Sequence, residues 1–287
     1  MYSLSADNWN VLDTGVSRFA LASYESKLVL IGGRQRDTPH GNQWSWIYTN
    51  KVSMLDSNLD IKDHDVVAAM RTKRASACAA SYEDCLIVAG GEEEGSNTNG
   101  TVEVYDGSRK GWLLVTPLPK SGIVKSAAII SNSIWCVVES ADESHVYCLN
   151  LSAIKENLGL VPTYAIISIR GTWQTLPLKP SHKYQVVSDS GFTYPLVCSN
   201  LSTYHDQVIL MGRDRGYSSS HSFFVYSRNA SQWMAVAAFS PKELKPLFSQ
   251  MSQKVLDNIR LLSISDKELL LLGCYQDVTF RVSFQSK

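Results

Sequence analysis

The residues of this sequence best suited to chemistry at a surface are charged side chains that directly follow short apolar runs. Arginine forks suit carboxylate or phosphate groups, and such complementarity sets the specificity and the rate of association. If these segments share one face, acidic and basic positions oppose each other across it. The alternative is that these charges have no binding role, since polar surface loops commonly carry charged residues. The basic positions are Arg34, Arg36, Arg213 and Arg215, and the acidic ones are Glu92, Glu93, Glu94, Glu139, Asp142 and Glu143.

Aromatic residues accompany the first arginine pair, in the long segment from Arg34 to Asn50. Trp44 and Trp46 are candidates for binding a partner, because tryptophan, tyrosine and arginine are enriched in binding hot spots. The alternation through Tyr48 equally fits one face of an extended strand that packs on a neighbour. Both interpretations stay open, and the surface exposure of Trp44 and Trp46 distinguishes them.

Catalytic and metal-binding patterns are not found in the sequence. The six histidines show no metal-ligand pairing at three or four residues, and there is no phosphate loop, nucleophile elbow or HExxH motif. The six cysteines also lack metal-ligand spacing and are interpreted as reduced, small hydrophobic residues. One facing pair, Cys136 with Cys148, is expected across a hairpin centred near Asp142. We therefore expect no catalytic residue, no metal and no cofactor.

Composition narrows the classes of partner. The chain has 287 residues, 44% of them hydrophobic, and equal numbers of basic and acidic residues, 27 each. No global field therefore draws it to nucleic acid or to an anionic membrane. Met1 to Asn10 has neither a basic start nor an apolar run, and the aliphatic stretches are too short to span a bilayer. We expect a soluble, intracellular and cytoplasmic protein.

A repeated unit organises the chain. Tyrosine precedes tryptophan by seven positions at Tyr2, Tyr105 and Tyr226, and apolar runs end in glycine at several places. Aligned at the ends of these runs, the units follow one another at steps of 58, 49, 73 and 61 residues. Self-similarity on this scale is typical of an array of one supersecondary unit. The anchors are Gly32, Gly90, about Glu139, Gly212 and Gly273.

Each unit is long enough for four short strands in an antiparallel sheet. The predicted units span 17–66, 74–115, 124–176, 195–236 and 258–285. The last has only three strands, and we expect residues 8–12 to complete it, because closure removes an open sheet edge. Tyr2 then competes with Val278 to Phe284 for one position. Either Met1-Tyr2 lies outside the sheet, or the chain begins inside a unit of a longer protein.

These residues resemble the kelch repeat, in which an apolar strand ends in Gly-Gly and a tyrosine precedes a tryptophan by about seven residues. The match is close in the second unit and partial elsewhere. The resemblance implies an all-β fold, a single β-propeller over residues 1–287 with about five four-stranded blades. A count of six blades is the alternative. The matching residues, expected to be structural, are Gly32, Gly33, Gly90, Gly91, Tyr105, Trp112, Trp173, Gly212, Tyr226, Trp233 and Trp9.

The resemblance also implies a function. Loops at one end of such propellers commonly form a binding face, so we expect a module that binds a peptide or loop of a partner protein, without a small-molecule substrate. Some kelch-like propellers are copper-radical oxidases, and Tyr204-His205 is the one local similarity to them. Others are scaffolds or substrate receptors of cullin-type ubiquitin ligases, a role that requires helical adaptor domains absent from this sequence.

Overall fold

The structure is a computed structural model. It describes residues 2–3, 8–9, 15–37, 45–55, 61–62, 67–95, 97–139, 144–152, 154, 156, 171–176, 196–204, 207–214, 221–227, 232–235, 259–265, 268–273 and 278–283. These residues fall into two compact units that meet in sequence between Pro117 and Leu118. Each unit is built from small antiparallel sheets.

The first unit contains two four-stranded sheets in its described part. One has the order β3-β4-β7-β8 and the other β12-β11-β10-β9, while β1 pairs with β2 and β5 pairs with β6. The strands are β1 Tyr2–Ser3, β2 Asn8–Trp9, β3 Ala20–Tyr24, β4 Lys27–Ile31, β5 Arg34–Arg36, β6 Trp46–Tyr48, β7 Val52–Leu55, β8 Ile61–Lys62, β9 Cys78–Tyr82, β10 Cys85–Ala89, β11 Val102–Asp106 and β12 Gly111–Val115.

The second unit contains three sheets in its described part. Two have four strands, in the orders β13-β14-β15-β16 and β17-β18-β19-β20, and the third has the order β21-β22-β23. The strands are β13 Ile123–Ile130, β14 Ser133–Glu139, β15 Ser144–Asn150, β16 Trp173–Leu176, β17 Leu196–Tyr204, β18 Gln207–Asp214, β19 His221–Ser227, β20 Gln232–Ala235, β21 Ile259–Ser265, β22 Glu268–Gly273 and β23 Val278–Ser283.

The prediction of an all-β chain with small four-stranded antiparallel sheets is confirmed. Neighbouring strands are antiparallel, and two-residue turns such as Glu83-Asp84 connect some of them directly, whereas the β5–β6 hairpin lies between β4 and β7. The sequence also predicts an insertion from Leu151 to Gly171 with a short helix, and helical backbone is present at Ser152, Ile154 and Glu156. The sequence further predicts a helix after Ser240-Pro241 and a polar connection from Lys179 to Thr193, and both lie outside the described residues.

The burial of the strands explains their sequences. In β3, buried Ala20, Ala22 and Tyr24 alternate with exposed Leu21 and Ser23, as expected for a strand with one covered face. All residues of β10 are buried, which accounts for its uninterrupted apolar sequence. The inner strand β10 is therefore covered on both faces, whereas β3, at the edge of its sheet, is covered on one.

The core of the first unit lies between its two four-stranded sheets. Val29 and Ile31 of β4 belong to the same buried cluster as Leu86 and Val88 of β10. Each such side chain, fully buried, contributes roughly 1.5–3 kcal/mol. The first sheet therefore depends on the second to cover its apolar face.

The tyrosine and tryptophan of the second repeat join this core. Tyr105 and Trp112 are directly opposite each other on β11 and β12, with ring centroids 5.4 Å apart. Tyr105 also meets Tyr24 of the first sheet edge-on at 5.9 Å, and the Trp112 indole nitrogen donates a hydrogen bond of 2.6 Å to the carbonyl oxygen of Ala68. The motif thus connects its own sheet to the preceding one.

The same spacing produces the same cross-strand pair elsewhere. Tyr2 pairs with Trp9 between β1 and β2, and Tyr226 pairs with Trp233 between β19 and β20. Seven positions fit two strand residues that face each other across a short turn. Tyr2 therefore occupies the position relative to Trp9 that the spacing predicted, while the addition of β2 to the last sheet stays a prediction.

The second unit repeats the packing between sheets. Trp135 and Val137 of β14 share a buried cluster with Val208 and Leu210 of β18. Tyr226 packs against Trp135, edge-on at 5.2 Å between ring centroids. The third repeat keeps its aromatic pair as well: Tyr147 and Trp173 lie 6.4 Å apart.

The predicted facing pair of cysteines is wrong. On β14 and β15, Cys136 is opposite Tyr147 and Cys148 is opposite Trp135, so the two cysteines are offset by one residue in register. Because successive side chains of a strand point to opposite faces, this offset places the two thiols on opposite faces of the sheet. The two cysteines are not joined by a disulfide bond.

Candidate functional site

Two glycine-pair turns of the first unit repeat one backbone geometry. Gly32 and Gly33 have φ angles of 63° and 110°, and Gly90 and Gly91 have 65° and 110°. These left-handed conformations favour glycine. A side chain at Gly91 would also clash, because its Cβ would lie 2.6 Å from the carbonyl oxygen of Ala75.

The residue after each glycine pair is fixed by backbone hydrogen bonds in both directions. Arg34 and Ser17 each donate an N–H to the carbonyl oxygen of the other, both at 2.8 Å. Glu92 and Ala75 do the same at 2.7 and 2.9 Å. Arg34 and Glu92 therefore occupy equivalent positions in consecutive repeats, and they carry opposite charges.

These two turns bring three side chains into an ionic contact. Arg34 Nη1 lies 3.9 Å from Glu92 Oε2, and Arg18 Nη1 lies 3.0 Å from the same oxygen and 3.2 Å from Oε1. The Glu92 side chain is only 14% exposed. Its carboxylate thus lies between two guanidinium groups.

A tryptophan extends this group of side chains. In the β5–β6 hairpin Arg36 is opposite Trp46 and Arg34 is opposite Tyr48, which places these side chains on one face. The guanidinium carbons of Arg34 and Arg36 lie 4.2 and 5.7 Å from the Trp46 ring centroid, within the range of cation–π attraction. We call Arg18, Arg34, Arg36, Trp46 and Glu92 the arginine–tryptophan cluster.

The hairpin exposes apolar surface beside this cluster. Trp46 is 37% exposed and Ile47, on the opposite face, is 41% exposed, whereas Tyr48 is buried. Among the large hydrophobic residues whose burial is described, Leu21 is the one other that is exposed. Tyr48 therefore anchors the hairpin while Trp46 and Ile47 stay accessible to a partner.

The three consecutive glutamates have different surroundings. Glu92 belongs to the cluster, and the Glu93 carboxylate accepts a 2.5 Å hydrogen bond from the Asn99 side-chain amide. Glu94 is exposed. The acidic run is thus one paired carboxylate, one turn-stabilising carboxylate and one at the surface.

The other predicted binding residues lie elsewhere in the chain. Glu139, at the end of β14, forms an ion pair with Lys125 at 2.7 Å. Arg213 lies in β18, where its backbone pairs with Val197 and His221. Trp44 and Arg215 lie outside the described residues, as does His205 of the Tyr204-His205 pair. A binding role for these residues stays a prediction.

Behind the glycine turns lies a buried ion pair that the repeat motif did not predict. Arg74 and Glu103 side chains are both inaccessible, and Arg74 Nη2 lies 2.5 Å from Glu103 Oε1. Arg74 also donates to the carbonyl oxygens of Gly90 and Thr101, at 2.9 and 3.0 Å. Burial lowers the pKa of the Arg74 guanidinium, and the Glu103 carboxylate opposes that shift.

Glu103 also holds the chain that leads into the second sheet. Its two oxygens accept backbone hydrogen bonds from Arg71 and Thr72, at 2.7 and 3.1 Å. The pair therefore connects the residues before β9 with β11 and the glycine turn that carries Glu92. A charged residue between two valines of a predicted strand, as in Val102-Glu103-Val104, is the sequence pattern that indicates such a position.

Arg18 is the member of the cluster that was not among the binding residues predicted from the sequence. It adopts φ of 55°, and Ser76, at the equivalent place one repeat later, adopts 53°. Extending the 58-residue repeat to the residues before the first strand identifies Arg18 as a loop position beside the glycine turn.

The described residues contain no group of three or more His, Cys, Asp or Glu side chains placed to hold a metal ion. In the same part of the chain, no helix is both long and apolar enough to cross a membrane. The arginine–tryptophan cluster, by contrast, combines charged side chains with the accessible apolar surface of the β5–β6 hairpin. No protein-family model matches this sequence, and no curated protein matches it either.

Proposed function

We propose that this chain is a kelch-like β-propeller of about five blades, which binds another protein on one face. The repeated four-stranded meanders, the matching glycine turns and the tyrosine–tryptophan pairs support this assignment. In this proposal residues 8–12 complete the last blade.

The observation that carries the proposed binding function is the exposed β5–β6 hairpin. Trp46 and Ile47 present apolar surface on both of its faces, next to arginines stacked on Trp46. Aromatic and arginine side chains around accessible apolar surface are the residues that dominate protein interfaces. A peptide or loop of the partner lies across this hairpin.

The proposed partner is a protein rather than nucleic acid or an anionic membrane, since the chain carries no excess of either charge. We propose no small-molecule substrate. The proposed setting is intracellular. We propose no catalytic step, because the sequence offers no catalytic motif and the cluster consists of groups suited to recognition.

Affinity capture followed by mass spectrometry tests the proposal. The full chain is compared with a Trp46→Ala/Ile47→Ser variant, and a Leu21→Ser variant controls for loss of exposed apolar surface at another position. We expect the hairpin variant to lose partners that the Leu21→Ser variant keeps. Reversing Arg34 and Arg36 together is expected to abolish the same capture without unfolding the protein. Equal capture by all variants would refute a binding role for the hairpin.

A further inference from the structure

Glu92 shows which ligand chemistry the arginines of the cluster accept. A carboxylate from the chain itself is bound between Arg18 and Arg34, at 3.0 and 3.9 Å, beside the Trp46 ring that Arg34 covers. Charge-assisted bonds of arginine to carboxylate are stronger than bonds between neutral groups. The arginines are therefore already arranged around a carboxylate.

Arg18 has binding capacity that Glu92 does not use. Only its Nη1 reaches the Glu92 carboxylate, and its side chain is 48% exposed. The Nε and Nη2 donors make no hydrogen bond with another described residue. A guanidinium has five N–H donors, so Arg18 can receive a second acidic group from outside.

Glu92 also limits what the arginines can attract. Its carboxylate neutralises part of their charge, and it occupies Arg18 Nη1 and the edge of Arg34. An acidic group of a partner competes with this internal carboxylate. A neutral partner gains less from the arginines, because their hydrogen bonds to neutral acceptors are weaker than those to a carboxylate. A basic partner meets their repulsion.

We infer that Arg18 and Arg34 form a carboxylate-binding site that Glu92 occupies in the free protein, and that the partner is an acidic peptide segment competing with Glu92 for it. The inference rests on the proposed binding function. An apolar residue next to the acidic one lies on Trp46 or Ile47, whose exposed surface adjoins the site. Glu92 is thus an internal competitor rather than a partner contact.

Fluorescence polarisation with labelled synthetic peptides tests this inference on the full chain. The probe has two glutamates flanking a leucine in a glycine-serine background, and its counterparts carry glutamine, lysine or phosphoserine in place of glutamate. We expect the glutamate peptide to bind more tightly than the glutamine and lysine peptides, with affinity that falls as salt rises. Tighter binding of the phosphoserine peptide would overturn the assignment of a carboxylate as the recognised group.

Variants separate the roles of the two charges. Arg18→Gln is expected to weaken the glutamate peptide about two- to fivefold, and Glu92→Gln to strengthen it by a similar factor, the range given by exposed ion pairs. Lys27→Gln and Glu25→Gln are the matched controls. Both residues are exposed, and they lie at the end of β4 that is opposite to Gly32.

Weaker binding by Glu92→Gln, or equal effects of Arg18→Gln and Lys27→Gln, would overturn the inference. Failure of every peptide to bind would overturn it as well. In that case capture that depends on Trp46 and Ile47 would still support the proposed function, so the two failures are distinguishable. Thermal unfolding of each variant verifies that it is folded.

Discussion

At the scale of single residues, Glu92 and Glu103 show how one residue type takes two roles in the same sheet and its adjoining turn. The Glu103 side chain is inaccessible; it forms an ion pair with Arg74 and accepts hydrogen bonds from two backbone N–H groups. Glu92 lies near the surface, between Arg18 and Arg34. The first carboxylate fixes the fold because a buried charge without its partner is costly. The second can exchange partners, because the Arg18 side chain is 48% exposed and solvent there reduces the cost of separating the ion pair.

Removing Arg74 is expected to destabilise the protein strongly. Arg74→Met should lower the free energy of unfolding by about 3–5 kcal/mol, since it leaves the Glu103 carboxylate buried without a counter-ion. Lys73→Met, at an exposed neighbour, should change it by no more than about 0.5 kcal/mol. Urea unfolding measures both values.

The double variant Arg74→Met/Glu103→Leu should recover part of the lost stability, because it removes both charges together. A loss for Arg74→Met no larger than that of Lys73→Met would contradict a structural role for the pair.

At the scale of elements, the glycine-pair turn decides where charged loops leave the sheet. The φ angles of Gly32-Gly33 match those of Gly90-Gly91. The residues that follow, Arg34 and Glu92, make the same pattern of backbone hydrogen bonds, so their chains leave the two turns in equivalent directions. The meeting of these side chains is thus a consequence of the repeat. Their opposite signs turn that meeting into an ion pair.

A side chain at the second glycine of this turn is expected to be poorly tolerated. Gly91→Ala should cost about 2 kcal/mol or more of unfolding free energy, because a φ of 110° is strained for alanine and its Cβ would meet the Ala75 carbonyl. Gly95→Ala is the control, since Gly95 also has positive φ but its nearest neighbour atom would be 3.6 Å away. Urea unfolding should show the larger loss for Gly91→Ala; equal losses would mean that the backbone conformation alone matters.

At the scale of the whole molecule, each unit follows the same construction. Consecutive sheets cover each other's apolar faces: the sheet of β3 with that of β9 in the first unit, and the sheet of β13 with that of β17 in the second. The last sheet, β21-β22-β23, has three strands among the described residues. The proposed propeller gives its β23 edge a fourth neighbour, the N-terminal strand.

Hydrogen exchange followed by mass spectrometry tests this closure. Deleting residues 1–12 should speed exchange of the β23 amides, Val278–Ser283, since their outer hydrogen bonds would lose their partner. Exchange of the β12 amides, Gly111–Val115, should change little, because β12 is the edge strand of a sheet that already has four strands. Unchanged exchange in β23 after the deletion would argue against completion of the last sheet by the N-terminal strand.

The sequence alone determined the sheets and most of their strands, because apolar runs, turn residues and the tyrosine–tryptophan spacing act through local and cross-strand geometry. It also selected Arg34, Arg36 and Glu92 as candidates by their position after glycine pairs, and Trp46 by its residue type. Which of these residues contact each other depends on contacts between sheets distant in sequence, and only the tertiary structure decided that. It placed Glu92 between Arg18 and Arg34 and offset Cys136 from Cys148, because side-chain partners follow from strand register and sheet packing, which single-residue patterns do not specify.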